Sequence, residues 1–137
     1  MKSLLRYRSQ KGAAVVEFAL VALMLFMIIV AMAEFSRAWM LLGMANGAAR
    51  VGARYAAIVP DVENRLDEVT DKVKETLLAS RIPDEDIQVD VAFSGSPTQG
   101  TPITVNVIVT FHTSFGNLFP KLDELPLRAA CTMRREI

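Results

Sequence analysis

The sequence predicts an α+β protein: a long N-terminal helix, membrane-spanning at its start, a second amphipathic helix, and a three-stranded antiparallel sheet. Three observations carry this. The run Ala13–Ala33 holds 21 residues, and only Glu17 among them is not apolar. Val62, Leu66, Val69, Val73 and Leu77 then recur every three or four positions, the spacing of one helix face. From Ile87 onward the period falls to two, as in strands with one buried face. The chain divides accordingly into a basic leader (1–12), the membrane part of the first helix (13–33), its extramembrane continuation (34–59) and an α+β globular domain (60–137).

The leader carries Lys2, Arg6, Arg8 and Lys11 and no acid, so by the positive-inside rule it stays cytoplasmic and the remainder lies outside. At 1.5 Å per residue the following 21 residues reach about 31 Å, enough to cross a hydrocarbon core of about 30 Å. Three readings of this segment stand. It can be an uncleaved signal anchor with Glu17 near the interface. It can be a secretory signal cut after the small-x-small triplet Ala31-Met32-Ala33. Or Gly12 is a processing site and Glu17 becomes the fifth residue of the mature chain. The second reading suffers because the helical pattern runs on through Trp39, Met40, Leu41 and Leu42 without Gly or Pro.

The arrangement Gly12-x-x-x-x-Glu17-Phe18, after a basic leader and before an apolar helix, resembles the processing site of type IV prepilins. The resemblance implies cleavage after Gly12 by a membrane-embedded prepilin peptidase, with Ala13 as the new N-terminus. Three blocks narrow it: Gly12 to Leu20, Glu34-Phe35-Ser36-Arg37, and Ala48-Ala49-Arg50-Val51-Gly52-Ala53-Arg54. Together they are similar to the TadE-like proteins of tight-adherence (Tad) pili. Ala22 departs from the family, where many members have proline early in the span. The resemblance implies a pilin-like fold and a non-enzymatic minor pilin (pseudopilin) needed for pilus assembly. It further implies other pilin subunits and the Tad assembly machinery as partners, with Glu17 and Phe18 as assembly contacts. The alternative is a secretion-system pseudopilin or a membrane-anchored accessory protein that never enters a filament.

Ala13 to Ile58 can form one helix of 46 residues, fewer than half of which fit in a bilayer. Gly43 and Gly47 make a small-xxx-small pair that lets another backbone approach closely, and Gly52 extends the set. Each glycine costs a helix about 1 kcal/mol relative to alanine, so close helix packing is the expected compensation; the alternative is that the glycines break the helix near Gly43 or Gly52. Arg37, Arg50 and Arg54 form a solvated or phosphate-facing side, with pairing of Arg37 to Glu34, three residues before it, as the alternative.

Pro60 and Asp61 end the first helix. The second presents Glu63, Asp67, Glu68, Asp71, Lys72 and Glu75 opposite its apolar face and is closed by Pro83. Residues 60–90 hold ten acids against four bases, and the cluster Asp84-Glu85-Asp86 reads as a solvated turn. Ile87 to Phe93 and Ile103 to Phe111 are two alternating strands joined by a Gly/Pro/Ser/Thr loop. Phe115, Leu118, Phe119 and Leu122 form an apolar connection, and Leu125 to Met133 give a third strand, which Pro126 either places at an edge or deprives of its first ladder bond.

Chemistry is sparse. His112 is the only histidine and stands opposite Phe111 on its strand, with no triad partners. Cys131 is the only cysteine, which excludes an internal disulfide, and it stands on the apolar face of its strand with Leu127 and Met133, where a buried, inert thiol is expected. No Gly-rich phosphate loop follows a strand and no His-Glu-x-x-His occurs, so no enzyme activity, cofactor, metal or small-molecule substrate is expected. A basic patch with interleaved aromatics is missing too, so nucleic acid is not an expected partner.

Overall fold

A computed structural model describes residues 2–93, 95, 98–114 and 124–136; for residues 2–11 it describes the backbone alone. The apolar connection with Phe115, Leu118, Phe119 and Leu122 lies outside the described residues, as do the leader's basic side chains. The chain divides into two compact units, the first ending at Ser36 and the second running Arg37–Ile137.

One helix, α1 (Lys2–Ile58), runs 57 residues. It begins earlier than the apolar run because Lys2 to Lys11 is rich in Leu, Arg, Lys and Gln, all strong helix formers, and has no proline. Neither Gly43 nor Gly52 breaks it. Its end is sharp: Val59 N–H still bonds Tyr55 O at 3.0 Å, but Pro60 has no N–H to continue the ladder, and Asp61 turns left-handed (φ 50°).

The sequence places Val62 in the second helix, and the structure corrects this. Val62–Asn64 is a separate 3₁₀ turn, and α2 (Leu66–Leu78) starts after Arg65, whose φ of −126° is not helical. Val62 is nonetheless fully buried, which is why it shares the apolar periodicity. α2 also stops before Pro83, because Arg81 is left-handed (φ 64°). Arg81 N–H bonds Leu78 O at 2.9 Å and Ile82 N–H reaches Leu77 O at 3.4 Å, a Schellman closure with Leu77 and Ile82 both in the core. Glycine is the usual residue at that position. Arg81→Gly is expected to stabilise the protein by about 1 kcal/mol by removing the left-handed penalty. Chemical denaturation of the two proteins checks it, and an unchanged midpoint would contradict it.

Asp84–Asp86 forms a short 3₁₀ turn leading into the sheet, whose order is β1 (Ile87–Phe93), β2 (Pro102–His112), β3 (Glu124–Arg134), antiparallel throughout. The register explains the alternation. Ile87/Val109/Leu127, Val89/Val107/Ala129, Val91/Val105/Cys131 and Phe93/Ile103/Met133 fall in rows across the three strands on one face. The other face carries rows such as Asp90/Asn106/Ala130 and Ala92/Thr104/Thr132; Asn106 Nδ2 donates to Asp90 Oδ2 at 3.2 Å, and the Thr104 and Thr132 hydroxyls lie 2.8 Å apart. Pro126 sits on β3, an edge strand, where a missing N–H is tolerated.

The apolar face is covered by helices. Ala45, Ala48, Ala49, Ala53 and Ala56 of α1 are fully buried in one core with Val69, Val73 and Leu77 of α2 and Ile103, Val105, Val107 and Val109 of β2. Alanines at this spacing make one stripe on the helix, and their small volume lets the helix axis come close to the sheet.

Candidate functional site

In the first unit, Gly12 and Ala13 lie on exposed helix, and the space where a Cβ at Gly12 would sit is open. Glu17 is exposed and makes no ion pair among the described residues. Phe18 is 73% exposed. Thirteen large apolar side chains between Val15 and Met32 are 54–73% exposed, with Val30 the one half-buried exception, and they surround the helix instead of forming one stripe. Burying a Val, Leu, Ile, Phe or Met contributes about 1.5–3 kcal/mol. For these thirteen side chains the sum is on the order of tens of kcal/mol, so another phase or another chain must cover them. The helix from Gly12 is long and apolar enough to cross a membrane, and none of its most apolar window is buried within the chain.

In the second unit α1 acquires two faces. The alanine stripe turns to the sheet, and Gly52 belongs to it: a Cβ there would overlap Val73 Cγ2 and sit 3.3 Å from Val105 Cγ1. Gly52 therefore has its close neighbours inside the chain. Gly43 and Gly47 lie on the outer face with open space where a Cβ would be. Around them are the exposed Met40, Val51 and Ile58, together with Arg50 and Arg54.

Polar ties hold α1 to the rest of this unit. Arg37 Nη1 donates to Ser114 Oγ at 2.7 Å, and its guanidinium lies 5.4 Å from the centre of the Phe111 ring, a cation–π distance. Tyr55 Oη donates to Glu68 Oε2 at 3.0 Å, which joins α1 to α2; chiefly that hydrogen bond raises the phenol above its usual pKa. On α2, Lys72 Nζ donates to Glu75 Oε2 at 2.7 Å, which raises the ammonium and lowers the carboxyl, although exposed pairs of this kind contribute little stability. Lys74 pairs with Asp84 at 2.8 Å, and Arg65 lies 3.6 Å from Glu68.

His112 Nε2 lies 2.8 Å from Asp86 Oδ1, so the histidine joins the end of β2 to the turn before β1. Cys131 is half-buried in the apolar row with Val91 and Val105. Among the described residues no group of three or more His, Cys, Asp or Glu side chains is placed to hold a metal ion. Sequence reasoning missed the alanine stripe as a core face and the Arg37–Ser114 tie. The first was visible as small residues at a 3–4 spacing; the second joins positions 77 residues apart and leaves no local signal.

What these features define is a class: an α+β unit carried on a helix whose N-terminal part is an uncovered apolar cylinder, long enough to cross a membrane. Within that class, residues 12–54 match the family of TadE-like proteins. The match opens at Gly12, takes in all three sequence blocks named above and ends inside α1, so it does not reach α2 or the sheet. No curated protein and no solved structure matches the chain.

Proposed function

We propose that this chain is a minor pilin, or pseudopilin, that takes part in assembling a tight-adherence pilus without catalysing a reaction. The carrying observation is that the TadE-like match begins at Gly12, at the head of an apolar stretch of helix whose most apolar window is nowhere buried among the described residues. In this reading a prepilin peptidase cuts after Gly12, and the mature chain starts at Ala13. The segment 13–33 is held in the cytoplasmic membrane with the leader on the cytoplasmic side and the α+β domain outside. Helix 34–59 continues from membrane to domain. Glu17 and Phe18 then lie one turn from the new N-terminus, where a neighbouring subunit can reach them. Lateral packing of helices, among pilin subunits or against the assembly machinery, is what covers the apolar cylinder.

Sequencing the N-terminus of the protein recovered from cells with and without an active prepilin peptidase tests this. The expected result is Ala13 with the peptidase and Met1 without it. Met1 in both cases would make the chain an uncleaved anchored protein, and Glu34 would make it a secreted domain; either result overturns the proposal.

A further inference from the structure

Two like-charged pairs on the second unit, one basic and one acidic, have matching spacings. On α1, Arg50 and Arg54 are one turn apart, exposed, and in no ion pair among the described residues. On α2, Asp67 and Asp71 are one turn apart, exposed, and likewise in no ion pair. Like charges four residues apart on a helix repel, although Asp67, in the first turn of α2, is also favoured by the helix N-terminus. The neighbouring groups do not relieve them. Lys72 is held by Glu75, Lys74 by Asp84 and Arg65 lies against Glu68, so the cations around Asp67 and Asp71 are engaged elsewhere. Glu68, the acid nearest the α1–α2 contact, receives the Tyr55 hydroxyl.

We infer that the outer face of α1 is a docking surface for a second copy of this chain, with Arg50 and Arg54 of one copy set against Asp67 and Asp71 of the next. Both pairs have the same one-turn rise of about 6 Å, so two charge-assisted contacts form together. The surface around the arginines suits a close approach. Gly43 and Gly47 leave the backbone bare on that face, and Met40, Val51 and Ile58 expose 58%, 40% and 48% of their surface beside it. The donor and acceptor patches are different parts of the molecule, so the contact is head-to-tail and can repeat into a linear array instead of closing as a two-fold dimer. The inference adds a residue-level contact to the pilin reading. It stands or falls separately, because it concerns self-association of the chain whether or not the leader is removed.

The test is self-association of the full chain in detergent micelles, followed by energy transfer between labelled copies as the protein-to-detergent ratio is varied. Arg50→Glu with Arg54→Glu, and separately Asp67→Lys with Asp71→Lys, are each expected to weaken association about tenfold or more, because each brings like charges together. An equimolar mixture of the two double variants is expected to associate as wild type does, since the new Glu pair of one meets the new Lys pair of the other. Misfolding cannot produce that restoration. Wild-type protein that stays monomeric throughout, variants that associate unchanged, or a mixture that is not restored would each overturn the inference.

Discussion

Gly52→Val is expected to destabilise the α+β unit by about 3 kcal/mol, whereas Gly43→Ala and Gly47→Ala raise its stability by up to about 1 kcal/mol each. The three glycines occupy one helix and look alike in sequence, so the sign reversal is a strict test of how α1 packs. At position 52 even a Cβ would overlap Val73 Cγ2 and crowd Val105 Cγ1, and both valines are fully buried. Valine side chains are stiff about χ1, and a close-packed core has no free volume into which they could turn. Overpacking of this kind typically costs about 1–3 kcal/mol, and the methyls beyond Cβ put valine at the upper end. Gaining a better helix former offsets well under 1 kcal/mol of that. At positions 43 and 47 a methyl meets nothing within 4 Å among the described residues, so only the propensity gain remains. Thermal unfolding of the full chain in detergent reads the difference, with a shift of about 4–8 °C for each kcal/mol in a domain of this size. A companion variant, Gly52→Ala with Val73→Ala, vacates the space the new methyl needs and is expected to cost less than the sum of its parts. Gly52→Val melting at the wild-type temperature would mean that α1 does not approach α2 and the sheet as closely as the structure places it.

The same glycines show how far the fold could be read in advance. Strand positions were legible because period-two alternation reports one buried face directly, and the observed rows such as Val91/Val105/Cys131 follow from it. The continuity of α1 from Ala13 to its end at Ile58 was legible too, whereas its start at Lys2, before the apolar run, was not. What the sequence left ambiguous was the object of small-residue packing. Glycine and alanine permit close approach but do not say to what, and the partner of Gly52 proved to be Val73 and Val105, 21 and 53 positions away. Val62 misled for a related reason: periodicity records burial, and a buried 3₁₀ turn in line with a helix gives the same signal as another helical turn. Arg81 in a left-handed position follows no local preference; it is held there by the burial of Leu77 and Ile82 on either side of the turn. Of the candidate site, the motif Gly12 to Phe18 is entirely local and needed no fold to be noticed. The charge pairs on α1 and α2 became visible only once the neighbouring lysines were seen to be occupied.

Glu17→Gln is expected to leave cleavage after Gly12 intact while reducing recovery of the protein in assembled pilus fractions at least tenfold. Cleavage, on the proposed reading, exposes a free amine on Ala13 with a pKa near 8, mostly cationic at neutral pH. Within one chain that amine lies about 6 Å along the helix from Glu17, and a neighbour displaced by about one turn brings its own amine level with the carboxylate. Away from water the attraction between the two charges is strong, and an acid left unpaired within a membrane span costs up to about 2.5–3.5 kcal/mol. That penalty is enough to set assembly fractions apart by tenfold or more, since each 1.4 kcal/mol is a factor of about ten. Glutamine keeps the shape and much of the hydrogen bonding but removes the charge, so it isolates the electrostatic contribution. Glu17→Asp keeps the charge on a shorter arm and is expected to fall between the two. The chain itself offers Glu17 no cation among the described residues, and its helical neighbours Ala13, Ala14, Leu20 and Val21 are all apolar. Measuring the mature N-terminus and the assembled fraction on the same cultures keeps the two steps apart. A loss of cleavage would move Glu17 into peptidase recognition, and wild-type assembly of the glutamine variant would remove the amine–carboxylate pair from the account of how these subunits join.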